Sequence, residues 1–554
     1  MEYWVFCYTR EADESAYYGP RLAYSMHLAL KEGDGPFVPL NHNSGVLFAR
    51  ATEKEDGSLN PKSLRNPRLL RRKDGTFAVR AIRIEGDGAE EEAPEQLYWT
   101  SRDLVIYEEA GEKTVSGAEE QTGEQPVPEL PGCLPGNILK ISREEAEYLK
   151  KKLLTPECVR VTVPEEIQVS CPEDVYRQMA TVWYSDGTSM QRRVDWRLEN
   201  VDFSEEKSVV IGGTIRQKHF PFPMAANRAD PCVTRWHGKY YFIATNDADQ
   251  NHTLYIREAD TLEGLAGAEE ILLLDSETYE GIGGLLWAPE FHEINGRLYI
   301  FHAATPGEFF REESCLMTLR EGGNPARRED WSAPRRIVKK DGSDLCEAGK
   351  TISLDMTCFL WEGAYYVIWS QRQFLPTDLG AWLYIARLNP EEPWKLETDP
   401  VILSKPDYGW DNNHTFVDEG PYALCSGDRL FVTFSGAAVD ESYVVSYLVI
   451  ERGKDLLRRE NWRKNNYPIL TARSVEGEYG TGHNAYVTDE DGIVYNTYHA
   501  RPGAKGVRSS GIRRVHFDVD GCPVLDLTEE PDLRSDLREV KIKVKISKDA
   551  ENGR

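Results

Sequence analysis

The chain has 554 residues, with 92 acidic against 66 basic side chains, a formal charge of −26, and 40% apolar and 10% aromatic residues. That balance excludes the Lys/Arg-rich surfaces that bind nucleic acid or anionic membrane, so neither partner is expected. The length accommodates two to four domains, and 27 Tyr with 13 Trp favour sheets over helices.

The N-terminal text MEYWVFCYTREADESAYYG lacks the basic and apolar regions of a secretory leader. Ten scattered cysteines without a C-x-x-C spacing fit free thiols in a reducing compartment. No run approaches the roughly 18 apolar residues of a membrane helix. The expectation is a soluble cytoplasmic protein.

Residues 1–109 read as short strands. The clearest are DGTFAVRAIRI (74–84) and QLYWTSRDLVIYEE (96–109), which carry the alternation of half-buried strands. Residues 64–81 with 100–109 look like a propeller blade, but one or two such units are too few to close a ring. Residues 110–136 are rich in Gly, Pro and Glu and read as a linker, so 1–136 form an N-terminal β-rich module plus linker. Ser142 with Glu145 three residues on is a capping box that predicts a helix over 142–153. Residues 159–215 are again short strands and turns. With TVWYSDG (181–187), VDW (194–196) and VDFS (201–204), they resemble a bacterial immunoglobulin-like module. Residues 137–216 are therefore expected to hold a helical connector and a small β-sandwich that serves as a spacer. At the other end, REVKIKVKIS (538–547) alternates as an edge strand would, within a tail spanning 536–554.

Between these lies a repeat. HGKYYFIAT, NGRLYIFHA, EGAYYVIWS, SGDRLFVTFS and EDGIVYNTYH each place a turn glycine before an alternating apolar strand, at Gly238, Gly296, Gly363, Gly427 and Gly492. Strand-rich units about 60 residues apart, with no amphipathic helix between them, predict five four-stranded blades of a β-propeller over 217–535. The fold class is all-β.

Eight residues before the first four glycines stand Asp230, Ala288, Asp355 and Glu419, and nine before the fifth stands His483. The innermost strand of every blade faces the central channel, so three carboxylates and a histidine converge at one mouth. Clustered like charges raise at least one pKa, and proteins hold such groups mainly for metal binding or acid/base work.

The texts RADPCVTRWHGKYYF, WAPEFHEINGRLYIF, SLDMTCFLWEGAYYVIWSQ, DEGPYALCSGDRLFVTFS and GTGHNAYVTDEDGIVYNTYHARP resemble glycoside hydrolase family 43 over roughly residues 220–530. The resemblance implies an inverting glycosidase. In it Asp230 is the general base, Glu419 the general acid, and Asp355 the residue that orients the acid and raises its pKa with its charge. It further implies that Trp287 is an aromatic wall beside the sugar, a core tryptophan being the alternative. Glu290 is a candidate substrate contact, Arg501 either binds sugar hydroxyls or balances the acids, and Asn246 stands at the rim or in a surface loop. No cofactor is required. His483 is either a ligand of a structural calcium ion or a plain hydrogen-bonded channel histidine.

The third and fifth of those texts look most like the branch that removes terminal α-L-arabinofuranose from oligosaccharides. β-Xylosidase or galactofuranosidase specificity is the enzymatic alternative, and a carbohydrate-binding propeller without catalysis the non-enzymatic one.

Overall fold

The computed structural model describes residues 1–118, 128 and 130–547, so the stretch 119–127 and residue 129 of the proposed linker lie outside the described residues. Five four-stranded antiparallel sheets follow one another from residue 225 to 514. Their innermost strands are Arg228–Trp236, Gly284–Ile294, Thr351–Trp361, Asp418–Ser426 and Glu478–Thr488. Each inner strand packs against the next, and the last packs against the first, so the blades close a ring. The short strand Ala225–Ala226 pairs with Ser509–Arg514 of the last blade and joins the two ends of the ring. The protein is thus a five-bladed β-propeller carrying additional β structure.

Apolar alternation drives this arrangement. In the third blade Val367 and Trp369 face the second blade while Ile368 faces the fourth, so each sheet buries both faces between its neighbours. The hairpins at His237–Gly238, Asn295–Gly296 and Glu362–Gly363 have positive φ at both residues, as a tight turn matching the strand twist requires.

The N-terminal region forms two four-stranded sheets. One contains Tyr3–Arg10, His27–Glu32, Val38–Pro39 and Cys133–Ile141; the other runs from Lys62–Arg71 to Glu108–Ala110. The boundary expected at 136/137 falls inside Cys133–Ile141, which pairs with Tyr3–Arg10 and so belongs with the N-terminal sheet. This region shares one apolar core with the third and fourth blades, where Val5, Leu28 and Phe77 join Trp410, Val432 and Phe434. The helix Arg143–Leu153 forms with both hydrogen bonds of the Ser142/Glu145 capping box.

Strands from residues 158–215 build a six-stranded sheet together with Glu539–Ile546. That last strand lies inside the sheet and not at the expected edge. It pairs antiparallel with Lys207–Ile215 on one side and parallel with Glu166–Val169 on the other. Its alternation arises because Val540, Ile542, Val544 and Ile546 enter the core while the lysines between them face solvent.

Candidate active site

Every inner strand of the propeller carries a two-residue bulge where it reaches the channel mouth. The ladder breaks between Ala229 and Cys232, Trp287 and Glu290, Leu354 and Thr357, Glu419 and Tyr422, and Gly482 and Ala485. The first residue of each bulge is left-handed: Asp230 (φ 50°), Ala288 (44°), Asp355 (56°), Gly420 (56°) and His483 (50°). A non-glycine residue held there costs roughly 1–3 kcal/mol, and such strain is characteristic of functional positions.

This register corrects one step of the glycine count. In the first three blades the turn glycine is the second residue of the hairpin loop. In the fourth, Gly427 is the first, because the loop between Ser426 and Arg429 is Gly427–Asp428. The bulge equivalent of Asp230 and Asp355 is therefore Gly420, and Glu419 is the residue before it. A Cβ on Gly420 would stand 3.0 Å from His483 Nδ1, so the bare glycine lets the histidine lie against this strand.

Asp230, Asp355, Glu419 and His483 all line one cavity of about 350 Å³, with Trp287, Phe309, Asn251, Arg372 and Arg508 among its other walls. Asp230 is the most heavily partnered carboxylate. Thr245 Oγ1 donates to its Oδ2 at 2.6 Å, while Arg508 Nη1 lies 3.3 Å, His499 Nδ1 3.1 Å and His483 Nδ1 3.3 Å from its Oδ1. Burial alone would raise its pKa. The Arg508 charge and the histidines outweigh that, holding the carboxyl well below its usual range, so Asp230 is anionic. His483 shows the reciprocal effect: burial opposes its charge, yet Asp230 and the other carboxylates raise its pKa overall.

Glu419 is driven the opposite way. Its Oε1 accepts the Tyr443 hydroxyl at 2.7 Å, which favours the anion, but burial dominates and the pKa is raised. The charge adding to that rise comes from Asp230, whereas a charged Asp355 had been expected to supply it. Asp355 is itself pushed up to about 8, first by burial and then by Glu419, against the opposing His483 charge. Its Oδ2 accepts the Gly420 backbone N–H at 3.0 Å. The cavity thus presents one ionised carboxylate and two carboxyls that favour their protons.

Trp287 forms a cavity wall, its indole N–H donating to Asn251 Oδ1 at 2.8 Å and its ring meeting Phe309 edge-on. Three expected substrate contacts lie elsewhere. Strand alternation aims Thr245 at Asp230, so its neighbour Asn246 turns away to Thr253 and Arg228 and is replaced at the wall by Asn251. Glu290, beyond the second blade's bulge, is buried against His292 at 2.7 Å. Arg501 donates to the carbonyls of Gly506 and Val439, bracing the rim, while the cation inside the cavity is Arg508. Arg508 sits in the loop GAKGVRSS, which carries no repeat signal; only its guanidinium's reach to Asp230 and Asp247 identifies it.

His483 Nε2 is buried without a hydrogen-bond partner. With Nδ1 against Asp230 and Nε2 unpaired, the ring fits a water belonging to the shell of a bound cation better than direct calcium ligation, because calcium prefers six to eight oxygens.

A family model described as Glycosyl hydrolases family 43 matches residues 221–523. An extracellular exo-α-(1→5)-L-arabinofuranosidase of Streptomyces chartreusis is 33% identical over 282 residues, covering 50% of this chain and 81% of that protein. A Streptomyces avermitilis protein of the same name is 30% identical over 55% of this chain, which spans 62% of that relative's length. Among solved structures, an α-L-arabinofuranosidase from Lactobacillus brevis is 28% identical, with a TM-score of 0.48 over 55% of this chain and 98% of that one. The expected cytoplasmic location is overturned by these relatives. Both Streptomyces proteins are named extracellular. Free thiols and an undistinguished N-terminal text are weak guides to compartment, since neither requires a reducing environment.

Proposed function

Since the chain belongs to glycosyl hydrolases family 43 and is a glycoside hydrolase, we propose that it removes terminal α-L-arabinofuranosyl residues from plant-derived oligosaccharides by an inverting mechanism. The observation that carries this reading is the opposed ionisation of two carboxyls facing one small cavity: Asp230 held as the anion, Glu419 favouring its proton. In a single displacement the carboxylate takes a proton from a water as that water attacks the anomeric carbon. The carboxylic acid protonates the departing glycosidic oxygen on the other face. Asp230 is assigned the first role and Glu419 the second. Asp355 is assigned the positioning of Glu419, through the backbone of Gly420. Arg508 holds Asp230 ionised, and Trp287 with Phe309 supplies an apolar wall for a sugar face.

No metal is assigned a role in bond cleavage; a cation bound through water at His483 would serve the architecture of the channel. The names of the Streptomyces relatives favour arabinofuranose with exo action over the xylosidase and galactofuranosidase alternatives. Rates on nitrophenyl α-L-arabinofuranoside, β-D-xyloside and β-D-galactofuranoside separate these, and the account expects the arabinofuranoside to lead by at least about tenfold. Proton NMR during the first minutes of hydrolysis tests the stereochemistry. The first-formed sugar is expected with inverted anomeric configuration, and a retained anomer would falsify the single displacement. No turnover of any glycoside would leave the binding-module alternative.

A further inference from the structure

Glu419 is preceded by Asp418, whose side chain is fully buried on the opposite face of the strand and belongs to an ionic cage that the acid/base account does not use. Lys464 Nζ sits at the cage's centre. It donates to Asp418 Oδ2 at 3.1 Å, to Asp407 Oδ1 at 3.3 Å, to Asp411 Oδ2, and to the Lys405 carbonyl at 2.6 Å. Ser404 Oγ donates to Asp418 Oδ2 at 2.6 Å, and Ser370 Oγ to the Asp418 carbonyl at 3.0 Å, so both ends of residue 418 are pinned. One ammonium thus fixes the residue next to the proposed acid and the segment leading into it.

That segment, residues 405–417, has no regular structure, yet Asp407, Tyr408, Trp410, Asp411 and Asn412 are all buried. The N-terminal region contributes directly to its support. Arg50 pairs with Asp407, the Ala51 N–H donates to the Asp407 carbonyl at 2.6 Å, Glu53 pairs with Lys405 at 2.9 Å, and Arg21 donates to the Asn412 carbonyl at 2.7 Å. Among the described residues, none before Asp230 lines the cavity. The N-terminal sheets therefore act on the reaction only indirectly, and this segment is one route for that, beside the apolar core they share with the third and fourth blades.

We propose that Lys464 is a positioning residue for Glu419, and that the N-terminal region is an intramolecular clamp, acting through Arg50 and Asp407, that keeps the lysine's carboxylate cage closed. This rests on Glu419 being the proton donor. A removed lysine leaves buried carboxylates without their counterion, which reorganise or take up water, and the strand at Asp418–Glu419 shifts with them. A shift of a fraction of an ångström at a proton donor lowers the rate where protonation of the leaving group is needed and matters little where it is not. Loss of general stability has no such dependence on the leaving group.

The test compares full-length Arg50→Gln, Lys464→Met and Lys464→Arg with Glu419→Gln as the reference. Turnover is measured on an arabinofuranosyl disaccharide and on the nitrophenyl arabinofuranoside. Arg50→Gln is expected to lower kcat on the disaccharide about 3–10-fold, and Lys464→Met about 10–100-fold, with the nitrophenyl rate changed less than about threefold in each. Lys464→Arg should recover part of the disaccharide rate, and KM should move little. Arg50 is partly exposed, so its variant decides the matter should Lys464→Met fail to fold. Equal losses on both substrates, or none, while Glu419→Gln itself discriminates between them, would overturn the clamp and leave the proton donor in place. A Glu419→Gln variant that does not discriminate overturns both.

Discussion

The carboxyl of Asp355 accepts the backbone N–H of Gly420 at 3.0 Å, joining the bulge of the third inner strand to the residue beside Glu419. The link is buried, so its loss strands a donor. Asp355→Ala should therefore lose about 1–3 kcal/mol of stability for the unpaired N–H, with a further cost for alanine at φ 56°. Asp355→Asn retains an acceptor and tolerates the left-handed backbone, so it should keep most of the stability. Urea unfolding of the two variants checks the order; equal losses would mean that the hydrogen bond contributes little.

The pH profile follows from the opposed shifts. Asp230 must be ionised and its pKa is lowered, so activity fails on the acid side only as pH falls well below 3.8. Glu419 must be protonated and its pKa is raised, so activity fails as pH rises through the titration of the Glu419 and Asp355 pair. The plateau of kcat/KM should extend above the ordinary glutamate range. In Glu419→Gln the alkaline limb should lose the contribution of that carboxyl.

Arg508 is the largest charge that keeps Asp230 ionised. Replacing it with methionine removes the cation and leaves burial unopposed by it, so the Asp230 pKa rises. The acid limb of kcat/KM should move toward neutral pH, with a smaller displacement in Arg508→Lys. An unmoved acid limb would mean that another group controls it.

Much of this was legible in the chain and some was not, for identifiable reasons. The five turn glycines and their alternating strands mark five blades because a propeller repeats one pattern of pleat and turn. Asp230 and Asp355 stand eight residues before their turn glycines, and His483 nine before the glycine of a longer hairpin loop. Glu419 came out of the same count only because the fourth hairpin begins with its glycine and shifts the spacing by one. Arg508 and Asn251 reach the cavity from loops, and Tyr443 reaches Glu419 from another, where spacing carries no information. Asn246 follows Thr245, which bonds Asp230, but points to the other side of the strand, and Arg501 is engaged by loop carbonyls. The N-terminal boundary was misplaced because Cys133–Ile141 pairs with a strand more than a hundred residues earlier.

His483 separates a metal reading from a purely structural one. If a cation is held there only through water, a chelator should leave activity within about threefold and lower thermal stability slightly at most. His483→Ala should cost more, because it removes a side chain that also contacts Asp230. Abolition of activity by chelator, with recovery on adding a divalent ion, would show that a metal takes part in the reaction.

The division of labour between Asp230 and Glu419 is tested most directly by the turnover of Asp230→Asn and Glu419→Gln on two substrates. Both replacements are nearly isosteric, so both variants should fold and should lose at least about 10²–10³-fold on an arabinofuranosyl disaccharide. On the nitrophenyl arabinofuranoside, whose leaving group needs little protonation, Glu419→Gln should recover much of its rate. Asp230→Asn should not, because water activation is still required. Near wild-type rates for both variants on the disaccharide would contradict the assignment of these two carboxyls.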